Sequence, residues 1–283
     1  MTRLGALLGA LGLLLAGCGT SEPPATPALW EISGANGAHG YLFGTIHALD
    51  EDVEWRSATF ERAFADADTL VVEAAGIADA EASAKVWRRL AFTPGLPPLT
   101  QRVPSEDAAG LKAALDRAGL DESAFAQTES WAAALTLASA LRKEDGEGID
   151  LALLRDAKGK RVAELEGVAG QLAIFDRLPQ SDQSALLASV TQDDPGGEAR
   201  LARLWRAGDI AAIAAETHKG MLADPDLREA LLVARNRVWE ARIDAMLRGG
   251  RAPFVAVGAA HLAGPDGLPA VLAARGHEVR RIQ

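Results

Sequence analysis

Short apolar runs of strand character recur along this chain, separated by long stretches with helical spacing. Thr69-Leu70-Val71-Val72, Arg161-Val162-Ala163-Glu164-Leu165 and Phe254-Val255-Ala256-Val257 read as strands. Tyr41-Leu42-Phe43 reads as the return strand of a hairpin. It is preceded by Ala28-Leu29-Trp30-Glu31-Ile32, which alternates apolar and polar, and by the turn signal Asn36-Gly37. Residues 278–282 read as a closing strand. Alanine and leucine recur at helical periods over 59–67, 80–91, 105–118, 122–143, 168–177, 181–191, 198–207, 209–217, 226–248 and 268–274, with Asp209 as an N-cap. Residues 93–98 and Gly146-Glu147-Gly148 break the helical pattern. This alternation predicts an α/β fold, a central mixed β-sheet with flanking helices and a helical cap.

The N-terminus reads as an address and not as part of the fold. Arg3 is followed by an apolar region, Leu4 to Leu15, too short to serve as a permanent membrane span. Leu15-Ala16-Gly17-Cys18 matches the bacterial lipobox. Residues 1–17 are therefore expected to be a lipoprotein signal peptide, and Cys18 to carry diacylglycerol and a further acyl chain such as palmitate. The alternative, an ordinary secretory signal with a chance cysteine, leaves unexplained why the chain's single cysteine stands there. Each buried methylene contributes about 0.8 kcal/mol, so two or three acyl chains hold a protein on a membrane without a transmembrane helix. Gly19, where an Asp would signal inner-membrane retention, points to the periplasmic face of the outer membrane of a Gram-negative cell. Residues 18–27 read as lipidated cysteine and tether, and 28–283 as a single domain. Lipid on Cys18 leaves the mature chain without a thiol, which excludes disulfides, cysteine catalysis and thiolate ligation. A formal charge of −10 argues against nucleic acid as a partner.

Four of the strand candidates close on groups that bind metals or move protons: His47, Glu73, Glu166 and His261. The two histidines share a context, strand then Gly-x-x-His, in Gly44-Thr45-Ile46-His47 and Gly258-Ala259-Ala260-His261. In open α/β sheets the ligand site lies beyond the carboxyl ends of the strands, so parallel neighbours would bring these groups together. Two imidazoles with one or two carboxylates suit Mn, Co, Zn or Fe. Each residue also has a plainer role. Either histidine serves a fold by hydrogen bonding, Glu73 can cap the next helix, and Glu166 can be surface charge like Glu164 two residues earlier. Arg235 and Asn236 stand beside apolar Leu231, Leu232 and Trp239, where an arginine needs a carboxylate or a bound anion; the plainer role is a helix-surface salt bridge. His39, His218 and His277 read as solvent-facing. No Gly-x-Ser-x-Gly elbow, Walker loop, His-Glu-x-x-His or strand-linked Gly-x-Gly-x-x-Gly is found.

Several segments together resemble the TraB/PrgY/GumN family, especially its bacterial GumN-like members and more distantly the Tiki metalloproteases. They are Leu29-Trp30-Glu31-Ile32, the segment Tyr41 to His47, Val71-Val72-Glu73, Gly148-Ile149-Asp150, Leu165-Glu166 with Gln171-Leu172, Arg235-Asn236-Arg237 with Trp239, and the segment Val257 to Leu262. The resemblance implies the α/β architecture shared with erythromycin-esterase-like and haem- or iron-binding ChaN-like proteins. From the Tiki branch it implies a divalent-metal-dependent protease whose counterparts here are His47, Glu73, Arg235 and His261. The expectation is a hydrolase acting on peptide or protein. His47, His261 and Glu73 hold the metal in it, and Glu73, Glu166 and Arg235 are catalytic. The rivals are a haem- or iron-binding protein without turnover and an assembly factor for envelope polysaccharide. One departure stands out: Glu164-Leu165-Glu166-Gly167 replaces the Gly-Leu-Glu-Thr expected from the family.

Overall fold

A computed structural model describes residues 24–34, 37–46, 49, 53–142, 146, 148–192, 194 and 196–283. The signal segment with Cys18, the tether up to Pro23, Asn36, His47, Lys143 and Glu147 lie outside these residues. The strands are β1 Leu29–Ser33, β2 His39–Thr45, β3 Thr69–Val72, β4 Arg161–Glu164, β5 Pro253–Gly258 and β6 Glu278–Arg281. They form one six-stranded sheet in the order β4-β3-β5-β2-β1-β6. β4, β3, β5 and β2 run parallel, whereas β1 is antiparallel to both β2 and β6, so the sheet is mixed as the opening hairpin implied.

The inner strands are apolar at nearly every position because both sheet faces are covered. Their side chains alternate between two cores. Tyr41, Phe43, Leu70, Val72, Phe254 and Ala256 face one, with Phe60 and Phe64 of the helix Ala58–Asp66 and Trp205 of the helix Gly197–Arg206. Leu42, Val71, Val255 and Val257 face the other, with Trp239, Ile243 and Leu247 of the helix Ala234–Arg248. A third core lies within the helical excursions, built on Leu111, Leu115, Phe125, Trp131, Leu137 and Leu187. This is the expected cap.

The helices fall where the periodicity predicts, with two departures. The stretch 122–143 is not one helix. It forms a short 3-10 turn, Glu122–Phe125, and then the helix Ser130–Leu141. Tertiary contacts open the chain between them: Thr93 N donates to Gln127 O at 2.8 Å, Glu129 N donates to Ala91 O at 2.8 Å, and the buried guanidinium of Arg102 donates to the carbonyls of Phe125 and Thr128. These bonds remove backbone groups that a continuous helix would pair internally. The second departure is the helix Ile149–Asp156, which the periodicity did not suggest because it is short and enters directly from Gly148. The helical stretch 225–248 is continuous but contains a π turn, Glu229–Val233, immediately before Ala234. No helix among the described residues is long and apolar enough to cross a membrane.

Phe254 sits at the centre of the first core, with ring centroids of Phe43, Phe60 and Phe64 at 5.8, 5.4 and 5.2 Å. Phe254→Ala is expected to cost about 3–5 kcal/mol, the range for emptying a buried aromatic site, read as a lower urea midpoint at unchanged slope.

Candidate functional site

The four parallel strands end side by side, and the side chains that follow three of them, β3, β4 and β5, meet. Glu73 comes directly after β3. Glu166 comes two residues after β4, where its N–H and that of Gly167 both donate to Glu73 O, at 2.9 and 3.0 Å. His261 comes after β5 in the single turn Ala259–Leu262. All three converge on Arg235 of the long helix. Arg235 forms a two-pronged pair with Glu166, Nε to Oε1 at 3.0 Å and Nη2 to Oε2 at 2.9 Å. Nη2 also donates to Glu73 Oε2 at 2.6 Å. Nη1 faces His261 Nε2 at 3.2 Å and donates to Leu231 O at 3.0 Å, a carbonyl of the π turn. The widened turn stands one residue before Arg235, a placement typical of π turns at functional sites.

The cluster is buried and its bonds are nearly complete. Side-chain exposure is 11% for Arg235, 14% for Glu73 and 11% for Glu166, so these charges interact with little water between them. Glu73 Oε1 accepts from Gly258 N at 2.9 Å, and its Oε2 also accepts from Gln171 Nε2 at 3.1 Å. Trp239 Nε1 donates to Glu166 Oε1 at 3.0 Å, and the Trp239 ring lies under the Arg235 guanidinium at 4.6 Å. Burial pushes the Glu73 carboxyl up. The positive charge of a protonated His261, the charge of Arg235 and the Gly258 N–H overcome it and hold this carboxyl below its ordinary range. Burial likewise works against the charge on Arg235, and its bonds to Glu166 and Glu73 more than offset it.

The hydrogen bonds of Asn236 place one proton on His261. Asn236 Nδ2 donates to the carbonyls of His261 and Asp266 at 3.2 and 2.8 Å, so its Oδ1 is the atom facing His261 Nδ1 at 2.7 Å. Nδ1 therefore carries a proton. Nε2 faces a guanidinium nitrogen, which only donates, so that contact is a hydrogen bond when Nε2 is unprotonated. The part His261 plays in depressing Glu73 requires the ring to be protonated; those of Arg235 and Gly258 do not.

Glu73, Glu166, Arg235 and His261 are thus brought together, and His47 lies outside the described residues. The two Gly-x-x-His segments are neighbours, with Gly44 opposite Val257 and Thr45 opposite Gly258. Gly44 suits a close approach: a Cβ there would stand 3.1 Å from the Ala259 Cβ, tighter than ordinary contact. Sequence reasoning gave no site role to Gln171, Asn236 or Asp150. Gln171 is the one polar side chain inside an otherwise apolar helical stretch, and that was its available signal. Asp150 accepts from Thr45 Oγ1 at 3.0 Å, at the end of β2. The departure at Glu164 and Gly167 makes local sense. Gly167 has φ +71°, and a Cβ on it would stand 3.2 Å from Glu164 Oε2, while Glu164 Oε1 accepts from the N–H groups of Ala75 and Gly76. A threonine at 167 fits neither that backbone nor that neighbour. His277, expected in solvent, is instead 9% exposed and bonded to Asp244 at 3.0 Å, because β6 packs it beside the long helix. His39 is partly exposed and pairs with Asp66, and His218 is exposed. A cavity of about 430 Å³, lined by Asp244, Arg248, Arg275 and His277 among others, opens at the opposite end of the sheet and holds none of the cluster.

The sequence model of the TraB/PrgY/gumN family matches residues 28–281. The chain belongs to this family. It is 29% identical over 257 residues to an uncharacterized protein, YbaP, of Shigella flexneri, a match that covers 87% of this chain and 92% of that one. The YbaP protein of Escherichia coli strain K12, also uncharacterized, matches with the same identity and coverage. No solved structure matches the chain.

As a metal centre the described part is incomplete. No group of three or more His, Cys, Asp or Glu side chains among the described residues is placed to hold an ion. His261 is held as ligating histidines are, with Nδ1 anchored and Nε2 presented, but Arg235 faces that Nε2 and both Glu73 oxygens accept N–H bonds.

Two measurements follow from the charges. Arg235→Gln leaves two buried carboxylates facing each other and is expected to cost about 3–5 kcal/mol in chemical denaturation, whereas the triple change Glu73→Gln/Glu166→Gln/Arg235→Gln costs less than that single change. Because the Glu73 pKa is depressed on folding, its contribution is complete above the unfolded value near 4.5 and is lost as pH falls through the lower folded value. Glu73→Gln is therefore expected to flatten the acid limb of a stability–pH profile below about pH 4.5, checked by urea midpoints from pH 7 to 3.

Proposed function

We propose that this chain is a hydrolase of the bacterial cell envelope, lipid-anchored through Cys18 at the periplasmic face of the outer membrane, with peptide bonds as its substrate class. The supporting observation is the meeting of Glu73, Glu166 and His261 on Arg235 at the carboxyl ends of parallel strands. Hydrolysis of an amide needs a base for the attacking water and a donor for the oxygen that becomes negative. His261, through Nε2, suits the base better than Glu73, whose carboxyl is held ionised by Arg235 and Gly258 N–H. Arg235 supplies the donor by turning Nη1 from His261 to the substrate oxygen, and the proton taken from water goes to the leaving amine. Glu166 and Gln171 act by holding Arg235 and Glu73 in place.

Where a divalent ion, Mn, Co, Zn or Fe, is held, His47, His261 and Glu73 are the residues proposed to hold it, and the Nε2 of His261 is then a ligand and no longer the base. Such an ion, when bound, supplies a water of lowered pKa. The anchored Nδ1 of His261 and the excess of carboxylate over guanidinium favour this assignment, and the Arg235–His261 contact opposes it.

The test is metal content together with hydrolysis of a peptide library, for the wild type and for His47→Ala/His261→Ala, purified without chelator. Near-stoichiometric metal and cleavage, both lost in the variant, is the expected result. No cleavage after incubation with Mn, Co, Zn and Fe would sink the reading. A visible-spectrum shift on haem titration, lost in the same variant, would then favour haem or iron binding. A specific envelope partner in cross-linking, without metal, would favour polysaccharide assembly.

A further inference from the structure

β4 is one edge of the sheet, and it leads into the cluster. Arg161 N donates to Asp68 O at 3.2 Å and Leu165 N donates to Val72 O at 2.8 Å, so the alternate residues of this strand turn their backbone groups toward β3. In a strand the residues between them point the other way. The N–H and C=O of Val162 and Glu164 therefore lie along an edge that no strand among the described residues covers. An open edge is ordinarily blunted by charge. Here Arg161 stands exposed at the start of the strand, away from the cluster, whereas toward the cluster the Glu164 carboxylate is turned onto the N–H groups of Ala75 and Gly76 and Val162 stands 43% exposed. The turn Ala75–Ala78, which packs against β4, adds Ile77 at 41% exposure. The opposite edge, β6, differs: Glu278, Arg280 and Arg281 stand along it, and Arg280 pairs with Glu31. It also lies at the far side of the sheet from Glu166.

We propose that an extended polypeptide docks by strand addition on the β4 edge, pairing its backbone with Val162 and Glu164 and resting its side chains on Val162 and Ile77. Only an extended backbone matches a donor and an acceptor repeated at every second residue. Glu166 follows Glu164 by two residues, in the bend that closes β4, so the docked chain ends beside the turn that carries the Glu166–Arg235 pair. The proposal rests on the peptide-substrate reading above and adds how that substrate is held.

Val162→Pro removes one open-edge N–H and leaves the bonds to β3, which come from its neighbours. The probe is fluorescein-labelled β-casein, an unfolded polypeptide, followed by anisotropy with the full chain. Binding by the wild type and a loss of about tenfold or more in Val162→Pro, at unchanged melting temperature, is the expected result. Equal binding by both proteins, or none by the wild type, overturns the proposal. If Val162→Pro fails to fold, hydrogen exchange on the wild type decides. Casein must then slow the amides of Val162 and Glu164, and protection confined elsewhere overturns the proposal. Protection there that grows with protein concentration without casein assigns the edge to a second copy and also overturns it. Binding is read without cleavage, so casein that is bound but left intact would fail the hydrolase reading alone.

Discussion

The Arg235 guanidinium, held between the carboxylates of Glu73 and Glu166, is the interaction on which the rest of the site depends. Moving ions of this kind out of water costs several kcal/mol each, and only close geometry with further hydrogen bonds repays it. That condition is met: Arg235 makes two bonds to Glu166, one to Glu73 and one to Leu231 O, and the carboxylates take further bonds from Gly258, Gln171 and Trp239. The partners come from a strand end, a strand-to-helix turn and the middle of a long helix. Their pairing therefore fixes the position of that helix over the sheet more tightly than apolar contact does. Apolar contacts between the same elements, through Trp239, Ile243 and Val255, are non-directional. The ion pairs select one register from those the apolar surfaces would accept.

The strands and their end groups were legible because the physics there is local. A strand covered on both faces must be apolar at successive positions, and a charged residue that closes such a run is conspicuous; Glu73 after Thr69–Val72 is the clearest instance. Strand order was not legible, since β3 and β5 are neighbours separated in sequence by the whole helical cap. The single helix read over 122–143 failed for a related reason. Its break is imposed by Arg102 and by backbone pairing with Ala91 and Thr93, contacts that no local periodicity encodes. At the site, Asn236 and Gln171 were hidden because an amide in a helix looks like any polar surface residue until its partners are known. His277 was misread for the converse reason, as proximity to the C-terminus said nothing of its pairing with Asp244.

The Glu164–Gly167 departure shows how a family pattern can change locally while the site keeps its form. Glu164 fills the space beside residue 167 and ties down the backbone after β3 through Ala75 and Gly76. Gly167 accepts both the crowding and the left-handed conformation. Glu166, between them, still reaches Arg235 with both oxygens. The two residues fit each other: glutamate at 164 crowds a Cβ at 167, and glycine at 167 takes the left-handed conformation that follows Glu166.

The same arrangement limits how a cation can enter. Two carboxylates against one guanidinium leave the cluster one negative charge in excess when His261 is neutral and none when it is protonated. The lone pair such a cation would take, on His261 Nε2, is faced by Arg235 Nη1. Two unit positive charges about 4 Å apart repel by about 4 kcal/mol at the effective dielectric of a partly buried site, and a divalent ion doubles that. A cation at Nε2 therefore requires Arg235 to withdraw Nη1. The guanidinium can do this and stay paired, because its bonds to Glu166 run along the other edge, through Nε and Nη2. Glu166 thus holds the arginine by the edge remote from His261, with both of its oxygens.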